Sequence, residues 1–105
     1  MADVTTDLLR ALLSVVGRSS LPIEFIYGTV VPKGANAKQV LAYNLCDGSR
    51  AQGEIAKELG LDDGNFSRTV SRWVEAGIMF RIGEGREAKL LHVYPLPRDR
   101  SKPAR

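Results

Sequence analysis

Side chains able to do chemistry fall into two unequal sets. The first would be nucleophiles with a base to activate them. His92 is the only histidine and Cys46 the only cysteine in the 105 residues, which excludes a Cys/His cluster for zinc, a histidine pair and a disulfide within the chain. Nucleophilic catalysis needs Ser or Cys beside a positioned base. His92 instead sits between Leu91 and Val93 in an alternating run, and Cys46 follows an apolar helix end, so both read as structural residues. Gly83-Glu84-Gly85 lacks the lysine, the threonine and the strand-to-helix setting of a phosphate loop and reads as a turn. Enzymatic activity, a bound metal and a cofactor are not expected.

The second set is larger and consists of guanidinium, amide and hydroxyl groups between residues 50 and 86: Arg50, Gln52, Asn65, Ser67, Arg68, Ser71, Arg72 and Arg86. Groups of this kind bond to phosphate oxygens and to base edges. The net charge of +3 is weak as a total, but its placement is uneven. Residues 95–105 hold Arg98, Arg100, Lys102 and Arg105 against Asp99 alone, so they supply the whole excess. Within the neutral remainder, acids crowd residues 49–64 and arginines follow them. Phosphate binding depends on such local fields more than on overall charge.

The elements that must position these groups can be read from capping and periodicity. Residues 7–16 (DLLRALLSVV) carry Leu8, Leu9, Leu12, Leu13, Val15 and Val16, an apolar surface wider than one stripe, with Thr6 as N-cap and Gly17 as stop. Such a helix buries two sides, one on its own domain and one on a partner subunit, which predicts a homodimer. Residues 20–31 fit both helical and strand spacing, and Pro22 after Ser20 favours a helix. PKGAN (32–36) is a loop, and Ala37 to Leu45 forms a further short helix closed by Asp47-Gly48.

Ser49-Arg50-Ala51-Gln52 has the form of a capping box, predicting a helix from Arg50 that buries Ile55, Ala56 and Leu59 and stops at Gly60. Asp62 caps a second helix to Ala76, with Phe66, Val70, Trp73 and Val74 spaced by three and four and Gly77 as stop. Ile78, Phe80 and Ile82 then alternate with Met79 and Arg81. The turn residues Gly83 to Arg86 follow, and Leu90 to Tyr94 alternates again, which is a two-stranded hairpin. The chain is therefore expected to be mainly α with a small β-hairpin: a helical extension over 1–36, a domain over 37–94 and a basic flexible tail over 95–105.

This order resembles a winged helix-turn-helix. QGEIAKELGLDDGNFSRTVSRWVEAGI (52–78) is similar to the DNA-binding segment of MarR-type bacterial transcriptional regulators, with Ala56 at the helix crossing, Gly60 and Leu61 in the turn and Ser67-Arg68 in the second helix. Met79 to Tyr94 is similar to their wing. Thr69 departs from the aliphatic residue usual there, and Asp63 and Gly64 are also unusual.

The resemblance implies sequence-specific binding of double-stranded DNA, with residues 62–76 in the major groove and the hairpin near the minor groove. Asn65 would then read adenine and Arg68 guanine, each good pair contributing about 1–3 kcal/mol of discrimination. Arg50, Gln52, Ser67 and Arg72 would hold phosphates, with Ser71 on the same face. Asp63 would accept from a cytosine amino group, Gly64 would let the backbone approach the groove floor, and Arg86 would enter a narrow minor groove.

A second reading is a winged-helix protein-interaction module, with Glu54, Glu58, Asp62 and Asp63 on its docking surface. RNA binding ranks last, because the aromatic-rich sheet of single-strand readers is missing. No apolar run approaches the roughly 18 residues of a membrane span, and Asp3 and Asp7 stand where a signal peptide is basic, so the expected compartment is the cytoplasm.

Overall fold

The computed structural model describes residues 4–32 and 37–97. The basic residues Arg98, Arg100, Lys102 and Arg105, and most of the loop expected at 32–36, lie outside the described residues. Helices α1 (Val4–Ser20), α2 (Ile23–Val30) and α3 (Ala37–Leu45) lead into strand β1 (Asp47–Ala51). Helices α4 (Gln52–Leu59) and α5 (Asp63–Glu75) follow, then β2 (Met79–Ile82), a 3-10 turn at Gly85–Glu87 and β3 (Lys89–His92). The architecture is mainly helical with a small three-stranded antiparallel sheet in the order β1-β3-β2.

The sheet differs from the expected hairpin by one strand. Asp47–Ala51 has neither alternation nor β-branched residues, and it becomes a strand by pairing with β3. Asp47 lies opposite Leu91 and Ala51 opposite Lys89, so the ladder is irregular between them, where Gly48 takes φ +93°. The expected capping box dissolves for the same reason. Ser49 and Arg50 belong to β1, and α4 starts two residues later with Ala51 as its N-cap. Glu54 supplies the cap by accepting from the Ala51 N–H at 2.7 Å, while the Ser49 hydroxyl donates to Asp47 at 2.6 Å.

The hairpin itself is regular, with Met79 opposite His92 and Ile82 opposite Lys89. Its outward positions are the apolar Phe80 and Ile82, 42% and 57% exposed, while Met79 is buried and Arg81 half-buried. The α4–α5 connection follows the local signals closely. Gly60 adopts φ +66°, which releases Leu61 N–H to bond Ala56 C=O at 2.8 Å. Asp62 then caps α5 by accepting from Asn65 N–H at 2.9 Å.

The core forms around Trp73, which meets Tyr43 and Phe66 edge-on at 5.6 and 6.2 Å between ring centres. Ile55, Val70, Ile78 and Leu90 close around it, each worth roughly 1.5–3 kcal/mol when fully buried. Ile26 and Val30 of α2 belong to this same core, so residues 1–36 are only in part an extension. The segment expected to start a free tail is also packed. Leu96 is buried, and its backbone exchanges two 2.8 Å hydrogen bonds with the Asn44 side chain.

α1 is longer than expected. It runs through Thr6 and Gly17, which are neither cap nor stop. Gly17 is buried where the helix approaches the end of β3, and a Cβ there would lie 3.2 Å from Val93 Cβ.

Candidate nucleic-acid interface

α5 has one apolar side and one polar side because its apolar residues recur at three and four. Phe66, Val70 and Trp73 are buried, and Asp62, Asp63, Gly64, Asn65, Arg68, Ser71 and Arg72 are exposed. The first turn gathers four of the expected site residues. Arg68 reaches back along the helix and donates to Asn65 Oδ1, arching over Gly64, whose missing side chain leaves the room. Asn65 Oδ1 keeps a second lone pair and Nδ2 keeps both hydrogens, so the amide can still pair with a partner in two places. Arg72 lies one turn further on and has no carboxylate partner among the described residues.

Arg86 approaches the same turn from the hairpin. Its Nε lies 3.0 Å from Asp63 Oδ2, and its guanidinium packs over Gly53, where a Cβ would meet Cζ at 3.0 Å. The pair is more than half exposed on both sides, so water screens it and its contribution is small, about 0–1 kcal/mol. It does fix where two of the expected contacts stand. Asp63 and Arg86 point at each other, at the starts of α4 and α5.

Other expected contacts are placed differently. Gln52 is 6% exposed and accepts from Arg81 Nε at 3.3 Å, so its amide is turned inward, away from any phosphate. Arg50 projects from β1 between Asp47 at 3.7 Å and Glu58 at 3.8 Å. Ser67 is half-buried, and its carbonyl accepts from Arg81 Nη2 at 3.2 Å. Ser71 Oγ lies 3.4 Å from both Arg81 terminal nitrogens.

Arg81 is the residue that reading the sequence missed. From β2 it bonds Gln52 at the start of α4 and Ser67 and Ser71 in the middle of α5. Its signal was an arginine inside an alternating strand.

Thr69 is half-buried and lines a groove between α5 and α3 with Lys38, Gln39 and Asn65.

The remaining reactive groups lie elsewhere. Cys46 is fully buried, its Sγ 3.2 Å from Ala42 C=O, and burial pushes the thiol far up, with Asp47 adding to the shift. His92 stacks on Tyr43 at 5.2 Å, and burial holds its imidazole below the ordinary range. Asp47 is pulled upward by partial burial, but the Ser49 hydroxyl and N–H and the nearby Arg50 outweigh this and keep its carboxyl below the usual range. No group of three or more His, Cys, Asp or Glu among the described residues could hold a metal, and no described helix is long and apolar enough to cross a membrane.

The arrangement presents an outward amide and two outward guanidinium groups on a helix anchored from behind by aromatic rings. No protein-family model, curated protein or solved structure matches the chain.

Proposed function

We propose that this chain is a MarR-like winged helix-turn-helix protein that binds double-stranded DNA and regulates transcription, with α5 in the major groove and the β2–β3 hairpin near the minor groove. One observation carries the reading. Asn65, Arg68 and Arg72 face outward along α5 while Phe66, Val70 and Trp73 are sealed beneath it. A helix so anchored can enter a groove about 12 Å wide without rearranging its core. Asn65 and Arg68 stand in the first turns, the part of a recognition helix that meets base edges, and Arg72 stands where backbone phosphate passes.

The test is binding of the intact protein to short random duplexes over a range of salt. Arg72→Ala should lower the slope of log K against log salt by about 0.9, as loss of one phosphate contact does. Arg68→Ala should weaken binding and, on a selected site, relax discrimination by about 1–3 kcal/mol at one base pair. A native protein that leaves duplex unbound even at low salt would sink the proposal.

That outcome would favour the interaction-module reading, which has its own support. The described residues carry as many carboxylates as cations, and Phe80 and Ile82 stand exposed on the hairpin.

A further inference from the structure

The groove between α3 and α5, about 200 Å³ in volume, is apolar at its floor and polar on its walls. Phe66, 3% exposed, and the half-buried Leu61 form the floor. Gln39 of α3 and Thr69 of α5 are half-buried along the walls, and Lys38 stands exposed at the rim. Neither the Gln39 amide nor the Thr69 hydroxyl has a hydrogen-bond partner among the described residues. A helical threonine ordinarily turns its hydroxyl to the carbonyl one turn back. Thr29 does so, donating to Phe25 C=O at 2.9 Å, but Thr69 does not. Half-buried donors left open toward one concave space await an acceptor from outside.

Their position says which acceptor. Successive helical residues turn by about 100°, so Thr69 lies about 40° round α5 from Asn65, with Arg68 and Arg72 on the other side of Asn65. A helix in a major groove about 12 Å wide has a phosphate backbone along each flank. The groove occupies the α3 flank. Phosphodiester oxygens accept and never donate, which suits Gln39 Nε2, the Thr69 hydroxyl and the Lys38 ammonium, while deoxyribose carbons suit Leu61 and Phe66. Asp62 is the carboxylate in the lining, and it is engaged by Asn65 N–H at 2.9 Å. It also faces Arg68 across the open side of Gly64, where a Cβ would lie 3.4 Å from Asp62 Oδ2 and 3.7 Å from Arg68 Nη1. Lys38 and Arg68 together leave one positive charge in excess of Asp62.

We infer that this groove seats one sugar–phosphate unit of duplex DNA, with Gln39 and Thr69 donating to the phosphate and Lys38 balancing its charge. The inference rests on the DNA-binding reading and adds a contact from α3, a helix to which that reading assigns nothing. Thr69 stands one turn beyond Asn65, so seating this phosphate fixes the register in which the Asn65 amide meets a base edge. Gln39 and Thr69 are positioning residues, and Asn65 does the reading.

The test uses the intact protein and a duplex carrying a selected site, with each backbone phosphate in turn replaced by an uncharged methylphosphonate. One replacement should weaken binding of the native protein and matter less to Thr69→Val and Gln39→Leu. Each of these variants should bind about two- to tenfold more weakly, as loss of one neutral hydrogen bond gives, with melting and salt slope unchanged. Lys38→Ala should lower the salt slope by about 0.9. Thr69→Ser keeps the hydroxyl and should restore binding. Inorganic phosphate should displace duplex no more than chloride at matched ionic strength. Extra displacement that Thr69→Val abolishes would make the groove a seat for free phosphate and overturn its assignment to DNA. Full affinity in both Thr69→Val and Gln39→Leu overturns the inference alone, because native binding and the Arg72→Ala slope would leave the DNA-binding reading standing. A native protein that leaves duplex unbound at low salt overturns that reading, and this inference with it, before any variant is made.

Discussion

Two arginines nine residues apart illustrate how one side-chain type takes unlike roles. Arg81 reaches Gln52 Oε1, Ser67 C=O and Ser71 Oγ from inside the α4–α5 junction, whereas Arg72 has no carboxylate partner among the described residues. Arg81→Ala leaves the buried Gln52 amide oxygen unpaired. It should destabilise by about 1–3 kcal/mol, lowering the melting temperature by several degrees for a domain of this size. Arg72→Ala should stay within about 0.5 kcal/mol and show itself only in DNA affinity. Calorimetry of both variants distinguishes them, and equal melting points would mean that Arg81 holds nothing together.

Asp63 is the residue whose charge opposes the proposed function. Asp63→Asn removes a repulsion toward phosphate and frees Arg86, while Asp62 still caps the helix. Duplex binding should tighten and its salt slope steepen by about one contact. Weaker binding would instead indicate that the carboxylate itself reads a base. His92 governs pH dependence at the same scale. Its ordinary pKa is 6.5 and burial lowers it in the folded chain. As pH falls below that value the unfolded chain takes up a proton that the folded chain refuses, so stability declines as the pH drops through 6.5. His92→Phe keeps a ring against Tyr43 and should flatten this decline. Asp47, held low, adds its own loss only near and below 3.8. Denaturation curves at several pH values separate the two, and an unchanged decline in the variant would clear His92.

At the scale of elements, what the sequence disclosed was what neighbours along the chain decide. Gly60, Asp62 and the spacing of Phe66, Val70 and Trp73 are local signals, and the α4–α5 pair formed where they pointed. β1 was hidden because its pairing with β3 is made some forty residues away in the chain and leaves no periodicity in Asp47–Ala51. Gly17 misled for a related reason. Its local meaning is a helix stop, yet its role is set by Val93, far along the chain. Gly17 and Gly28 therefore respond oppositely to substitution. A Cβ at Gly28 in α2 would meet nothing within 4 Å, so Gly28→Ala should stabilise by about 0.5–1 kcal/mol. Gly17→Leu would wedge α1 off the end of the sheet and should destabilise by roughly 1–3 kcal/mol. Urea unfolding midpoints measure both, and a tolerated Gly17→Leu would mean that α1 is not held at this contact.

For the whole molecule, the candidate site was legible as a list of outward residues on α5 but not as an electrostatic surface. Arg50, Gln52, Ser71 and Arg86 all have partners within the fold, contacts that form only when β1, α4 and the hairpin come together. With these groups engaged and the described residues balanced in charge, the domain has little field with which to draw in a polyanion. The excess sits in Arg98, Arg100, Lys102 and Arg105, beyond the point where Leu96 is tied to Asn44. Removing residues 98–105 leaves that anchor and the core untouched, so melting should hardly change. If those four cations follow the phosphates, the truncated chain should lose about three units from its salt slope and bind weakly to every sequence alike. Preference for a selected site over random duplex should survive, because Asn65 and Arg68 remain. An unchanged slope would place the attraction on α5 itself, and a vanished preference would move base reading from α5 to the segment removed.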